Sequence, residues 1–292
     1  DVRQNIFGAY ISDVISLSPG LSVMASVRYD RFDYQGDVNT TDDDETEYDQ
    51  STFSPKFGIV YQPILDKVSV FANYQNGFSY VDPQYVTDFA TGETTLQSYD
   101  VEEANQLEVG VKTNLFHSKL ETTLSYYNIN VDNKYYWSTQ TQDLAINSQG
   151  IELEVNANPV EGLHIHTGFS YNDSEITDSP SAPGLEGNRY GESGPEITYN
   201  LWADYKFVKN FGIGAGFNGA SEYDTMVDYK SVTGSFFIPS YTVFNASVYY
   251  ETDKYRVGIK GNNLTDDTYY SGWSTVTPQQ RRVILGTFSF KF

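Results

Sequence analysis

Apolar and polar residues alternate one by one along most of this chain. From Leu163 one side reads Leu163, Ile165, Thr167, Phe169 and Tyr171, the other His164, His166, Gly168, Ser170 and Asn172. From Phe211 the two sides are Phe211, Ile213, Ala215 and Phe217 against Gly212, Gly214, Gly216 and Asn218. A repeat of two cannot be a helix; it means strands with one apolar and one polar face. Thirteen such segments occur, at 5–17, 20–35, 52–62, 67–78, 103–116, 118–137, 145–158, 161–174, 194–208, 211–224, 236–251, 254–268 and 280–292. Most are about twice as long as the ~5–6 residues common in globular strands. A tilted strand of ~10 residues spans a bilayer. In Leu120–Val131 the apolar set shifts phase, from Leu120 and Leu124 to Ile129 and Val131, which predicts a β-bulge near Tyr126–Tyr127.

The connections alternate as well. Short ones lie at Ser18–Gly20, Pro63–Asp66, His117–Ser118, Pro159–Gly162, Lys209–Asn210 and Thr252–Asp253. Long polar ones separate them, at 36–51, 79–102, 138–144, 175–193, 225–235 and 269–279. All short turns thus fall on one side and all long loops on the other, the sidedness of an outer-membrane barrel with periplasmic turns and extracellular loops.

Composition removes the alternatives. Lys and Arg number 18 against 39 Asp and Glu, a net charge of −21, which excludes a phosphate-binding surface for nucleic acid. With no Cys there is no disulfide framework or thiolate metal site. No run of about 18 apolar residues offers a transmembrane helix. The mean hydropathy of −0.46 is low for a chain that is 16% aromatic. A soluble sandwich would also alternate, but with shorter strands and with Lys and Glu rather than Gly, Asn and Ser on its polar face. It would not need Tyr at so many strand ends, where a lipid-facing barrel carries its two aromatic girdles. Ile284, Gly286, Phe288, Phe290 and Phe292 share one face of the last segment. The expected fold is all-β: a transmembrane antiparallel barrel with about 13 strands present.

Several segments, read in order, resemble the C-terminal half of a TonB-dependent siderophore receptor. They include Arg28-Tyr29-Asp30 after a hairpin, the hairpin at 53–78, and Glu108, Gly110 and Lys112 in an E-x-G-x-K pattern. Gly150, Glu152 and Glu154 follow as G-x-E-x-E, and Asn262-Asn263-Leu264 with Asp266 and Tyr269 resemble the N-N-L-x-D-x-x-Y motif. The resemblance implies a 22-stranded barrel around an N-terminal plug. Counted back from Phe292, the first segment is strand ten, so residues 1–292 correspond to the C-terminal portion, with the plug and about nine strands outside this sequence. It also implies import of a ferric siderophore as the transported ligand, without a covalent cofactor. Energy would come from the TonB–ExbB–ExbD complex acting through the plug, in a membrane of lipid and lipopolysaccharide. Uptake of another nutrient (a cobalamin, a metal complex or an oligosaccharide) and a small passive porin are the alternatives. On its own the segment set has two unmatched edges, so residues 1–292 alone are expected not to form a transporter.

No enzyme is expected: neither a Cys nucleophile nor a Gly-rich phosphate loop is present. His164 and His166 are two apart and face the lumen, giving two ligands at most, so lumen lining outweighs a metal pair. Asp42, Asp43, Asp44, Glu45 and Glu47 read as a solvated loop tip rather than a calcium site. The ligand-binding candidates are aromatics at the outer rim: Tyr80, Tyr85, Tyr135, Tyr136, Trp137, Tyr223, Tyr269, Tyr270 and Trp273. Aromatic walls suit a flat, partly apolar complex. Their bland alternative is the outer girdle, but neighbours such as Tyr135 and Tyr136 point to opposite faces. Arg189 and Arg281 are scarce cations suited to an anionic ligand, or equally to loop acids.

Overall fold

The computed structural model describes residues 2–37, 45–87, 91–92, 94–136, 139–224, 237–272 and 275–291. In chain order the strands are β1 (Val2–Ser18), β2 (Leu21–Asp37), β3 (Glu45–Ile64), β4 (Val68–Ser79), β5 (Gln84–Thr87), β6 (Thr94–Gln97), β7 (Glu102–Leu115), β8 (Leu120–Tyr136), β9 (Thr141–Ala157) and β10 (Leu163–Asp178). They continue as β11 (Ile197–Val208), β12 (Phe211–Ala220), β13 (Tyr223–Asp224), β14 (Phe237–Ile238), β15 (Tyr241–Glu251), β16 (Tyr255–Asn262), β17 (Tyr270–Ser271), β18 (Thr277–Pro278) and β19 (Val283–Phe290). Thirteen of them form one antiparallel sheet in the order β1-β2-β3-β4-β7-β8-β9-β10-β11-β12-β15-β16-β19. This is a meander of sequence neighbours, with β1 and β19 as its open edges. The remaining three pairs, β5–β6, β13–β14 and β17–β18, are small hairpins within long connections. Among the described residues no helix is long and apolar enough to cross a membrane.

All thirteen expected segments are strands of this sheet, and their ends differ where alternation fades. The segment expected at 52–62 runs from Glu45, because its ladder with β2 continues to Asp37↔Glu45. Away from the bilayer both faces meet water, so hydropathy no longer marks the strand. The segment expected to reach residue 268 stops at Asn262, since Asn263 takes φ +49° and turns the chain.

The bulge expected near Tyr126–Tyr127 is not there. β7 and β8 pair without interruption from Glu103↔Asp132 to Leu115↔Leu120. The irregularity lies higher, between Val131 and Lys134 and again between Lys134 and Tyr136, in the β8–β9 ladder. The apolar phase changes because the apolar partner changes. Leu120, Leu124 and Tyr126 share the face of Val111 and Leu153, whereas Val131 lies on the other face, against a cluster of Leu144, Ile146, Ile176 and Leu185.

Residues directly opposite in a ladder share a face, so register assigns every side chain. One row runs Leu21, Tyr61, Val70, Val111, Leu124, Leu153, Phe169, Tyr199. Another runs Leu163, Tyr205, Ile213, Val248, Ile259. These and the neighbouring rows on the same side form the lipid face, and its large apolar side chains are exposed: Phe57, Ile59, Phe169, Ile259 and Phe288 among them. The face is about nine residues tall on each strand, as on β3 from Phe53 to Tyr61, close to the ~9–11 that a tilted barrel strand needs. Tyrosines bound it, with Tyr61, Tyr205, Tyr250 and Tyr255 towards the short turns and Tyr29, Tyr74, Tyr126 and Tyr171 towards the long loops. The opposite face carries Lys112, Glu152, His166 and Asn218, with rows such as Glu121, Asn156, His166, Trp202, Gly216 and Asn245. The short turns are tight. Gly162 has φ +78°, and a Cβ there would lie 2.5 Å from the carbonyl oxygen of Lys206, so only glycine fits.

Candidate functional site

Among the described residues, parts of the β4–β7, β10–β11 and β16–β19 connections fold back over the polar face. Between β4 and β7 the chain returns across the top of β2 and β3 and is held at both ends by one side chain. Gln50, on β3 opposite Phe32, is buried, and its Nε2 donates to the carbonyls of Val81 (3.2 Å) and Tyr99. Tyr80 stacks on Phe32 at 4.9 Å, with Phe78 edge-on to the same ring at 5.7 Å. Burial, then the neighbouring Asp82, pushes the Tyr80 phenol up, keeping it a neutral donor. Tyr99 donates to the carbonyl of Gln140 and meets Tyr135 edge-on at 4.8 Å. Burial first, and then Tyr135, pushes Tyr99 up to about 12. Tyr85 sits exposed on the β5–β6 hairpin, opposite Leu96. Beside this loop lies a polar cavity of about 440 Å³, lined by Asp49, Gln50, Gln97, Tyr99, Asp100 and Gln142.

The connection between β10 and β11 is anchored by apolar packing. Leu144, Ile146, Ile176 and Leu185 form a buried cluster, and Val131, Tyr136, Ala182 and Tyr190 pack against it. Tyr135 and Tyr136 thus part, one against Tyr99 and the other against this cluster. Arg189 donates to the carbonyls of Asn172 (2.9 Å) and Gly194 (3.2 Å), clamping the loop to the wall. Lys134 lies 3.7 Å from Glu102 and 5.8 Å from the Tyr190 ring.

A third group lies at the C-terminal end. Tyr223 donates to the carbonyl of Gly272 at 3.1 Å, and Tyr241 pairs with Tyr269 at 4.6 Å. Tyr269 borders a cavity of about 310 Å³ with Trp202, Asn218, Asn245, Lys260 and Gln280. Tyr270 is exposed, opposite Pro278. Arg281 is committed to Asp266, which it grips with Nε (3.1 Å) and Nη2 (2.9 Å), while Nη1 donates to Thr268 at 2.6 Å. Those bonds, with the Arg282 N–H, hold the Asp266 carboxyl down at about 2. Trp137, Trp273 and the acidic residues Asp42–Asp44 lie outside the described residues.

The rim candidates therefore fall into separate groups rather than one ring. Tyr80, Tyr136 and Tyr269 stand over the polar face, and Arg189 and Arg281 are engaged by the chain itself. Sequence reasoning missed Gln50 and Tyr99. Tyr99 sits in a long connection without periodicity, and Gln50 is one of many amides; only the backfolded loop distinguishes them. His166 meets Asn156 through Nδ1 at 2.8 Å, and His164 meets Asn158. Among the described residues no group of three or more His, Asp or Glu is placed to hold a metal.

An open antiparallel meander of long strands, with tyrosines at both ends of a lipid face and loops folded over a polar face, is part of a large outer-membrane barrel. The family model described as TonB dependent receptor-like, beta-barrel matches residues 1–264, and the chain belongs to that family, whose members are transporters of the outer membrane and not enzymes. The metal-pseudopaline receptor CntO of Pseudomonas aeruginosa (strain UCBPP-PA14) is 27% identical over 276 residues, covering 89% of this chain and 37% of the relative. The ferric-pyoverdine M114 receptor PbuA of Pseudomonas sp. (strain M114) is 24% identical over 293 residues, covering 93% of this chain and 34% of the relative. The crystal structure of the siderophore receptor PiuA from Acinetobacter baumannii superimposes with a TM-score of 0.83 at 20% identity, over 100% of this chain and 44% of that one. This likeness establishes the fold. The chain spans between about a third and under half the length of these relatives.

Proposed function

We propose that residues 1–292 are the C-terminal portion of the barrel of a receptor that imports a ferric siderophore across the outer membrane. The observation that carries this reading is the family match over 1–264, joined to relatives named as receptors for metallophores or siderophores. In this reading a plug and about nine further strands complete the barrel, and TonB with ExbB and ExbD drives transport through the plug. The loops folded over the polar face supply the ligand's entrance. A neutral phenol suits it: Tyr80 is held protonated well above neutral pH and offers a donor to an anionic chelate, while the Tyr99 hydroxyl is spent on the Gln140 carbonyl and fixes the loop. Tyr136 and Tyr269 add aromatic walls. Tyr85, Tyr135, Tyr223 and Tyr270 are further rim candidates, and Trp137 and Trp273 remain candidates from the sequence alone. Arg189 and Arg281 reach a ligand only by exchanging their present partners. One relative is named for metal-pseudopaline, which favours a metal complex other than ferric siderophore as the second reading.

The test is uptake. A strain lacking the full-length gene is offered radiolabelled iron on a panel of siderophores, with and without TonB. Loss of uptake for one siderophore class, restored by the gene only when TonB is present, is the expected result. Unchanged iron uptake together with lost uptake of nickel or zinc chelates would replace it with the second reading. TonB-independent passage of small solutes would replace both with a porin.

A further inference from the structure

The polar cavity of about 440 Å³ beside the β4–β7 connection is walled by groups whose donors are committed and whose acceptors are not. Gln50 is only 9% exposed, and both bonds it makes leave through Nε2, to the carbonyls of Val81 and Tyr99. Its Oε1 is buried and has no partner among the described residues. Gln142 lines the same space and is closed on Asp100 as a reciprocal pair. The Asp100 N–H donates to Gln142 Oε1 at 2.8 Å, and Gln142 Nε2 donates back to the Asp100 carbonyl. The Tyr99 hydroxyl is taken by the Gln140 carbonyl. Two carboxyl groups remain. That of Asp100 is exposed and makes no bond among the described residues. That of Asp49 meets Arg31 at 3.7 Å through Oδ2, but this guanidinium is bonded more closely to Asp33, at 2.9 Å, and does not line the cavity.

A buried carboxamide oxygen is costly to leave unpaired, and two acids facing one cavity favour positive charge between them. An occupant that suits this wall therefore donates hydrogen bonds and is cationic. An alkylammonium is both, with three N–H donors for the three acceptors Asp49, Gln50 Oε1 and Asp100. The volume, against ~30 Å³ for one water, admits the stem that carries such a group. The place fits as well. Gln50 ties Val81, next to Tyr80, to Tyr99, so the phenol that offers a donor to a chelate and the acidic cavity lie at the two ends of one clamp. We propose that this cavity is a subsite for a primary ammonium group on the transported complex, and that the receptor favours metal chelates with a free amine arm. The inference rests on the siderophore reading above and narrows its substrate class.

The test uses the full-length receptor in the deletion strain and matched pairs of ferric chelates, one pair of trihydroxamates and one of tricatecholates. Each pair carries either a free terminal primary amine or the same amine acetylated, which removes the charge and two donors and leaves the iron centre alone. In whichever series is imported, the free amine should lower the half-saturating concentration at least about tenfold. D49N/D100N should bring the free amine to the acetylated level without changing acetylated uptake. D173N/E175Q removes the same charge from the outward side of β10, where these acids lie opposite Gln149 and Asn147, and should keep the preference. Heat-modifiable migration confirms that each variant is folded. On the purified receptor the free-amine chelate should slow amide exchange at 97–100, and the acetylated one should not. Equal uptake within a pair, a preference that survives D49N/D100N, or one lost equally in D173N/E175Q would overturn the proposal and leave siderophore import standing. Calcium alone slowing exchange at 97–100 as strongly as the amine would replace the subsite with a metal site. Import of no member of either pair would remove the siderophore reading and this inference with it.

Discussion

Placing a charge on the lipid face at mid-depth should be costly, and placing it one residue along should not. Ile259 is 54% exposed and lies on the apolar row of Leu163, Tyr205, Ile213 and Val248. Tyr255 marks the turn-side girdle on the same strand, four residues earlier. At ~3.3 Å per residue and a tilt near ~40°, Ile259 stands ~10 Å above that girdle, near the middle of an apolar band ~25 Å tall. Ile259→Arg in the full-length receptor should therefore destabilise the folded barrel by ~2–4 kcal/mol. Val257→Arg, two residues nearer the girdle, should cost less. Lys260 belongs to the row of Ser247, Gly214, Asp204 and His164 on the polar face, so Lys260→Arg should be close to neutral. Reversible denaturant unfolding in vesicles, read by tryptophan fluorescence, measures all three. Equal costs at 259 and 260, or a larger cost at 257 than at 259, would refute the assigned register and depth.

Sidedness can be read with cysteines, since the chain has none of its own. Glu161→Cys in the turn before β10 should resist a membrane-impermeant maleimide on intact cells, and Ser181→Cys in the β10–β11 connection should react; the reverse pattern would invert the topology. Gln50→Ala leaves the carbonyls of Val81 and Tyr99 unpaired, at a local cost of ~1–3 kcal/mol. Faster protease cleavage within 80–101 on intact cells is expected, and an unchanged rate would remove Gln50 as the clamp. Leu144→Ala should cost ~2–4 kcal/mol of packing under the β10–β11 connection, seen as faster amide exchange at 179–194 and not at 80–101. Asp266 is held at about 2 by Arg281, so its depressed pKa stabilises the turn above the ordinary carboxylate range and that support is lost as pH falls through about 2. Amide exchange at Arg282, whose N–H donates to Asp266, should stay slow at pH 3 and quicken towards pH 2. Asp266→Asn should make it fast at both; equal protection in that variant would count against the ion pair as the latch.

Alternation alone determined the thirteen strands, their antiparallel order and the identity of the lipid face, because a period of two leaves each side chain only two directions and hydrocarbon accepts only one set. Leu163, Ile259 and Phe288 were legible in this way, as were His166 and Glu152 on the other side. That signal ends where the bilayer ends. Above the girdles both faces are wet or covered by loops, so Ile129 and Val131 suggested a bulge at Tyr126–Tyr127 when they had only exchanged lipid for the polar face and its loop contacts, and the real irregularity sat at Val131–Tyr136. The rim residues were identifiable as aromatic or cationic, but their partners were not. Arg281 turned inward to Asp266, Tyr135 and Tyr136 went to different neighbours, and Gln50 became the clamp of a loop that begins thirty residues later. Such contacts join positions distant in sequence through loops without any repeat, so only the tertiary structure decides them.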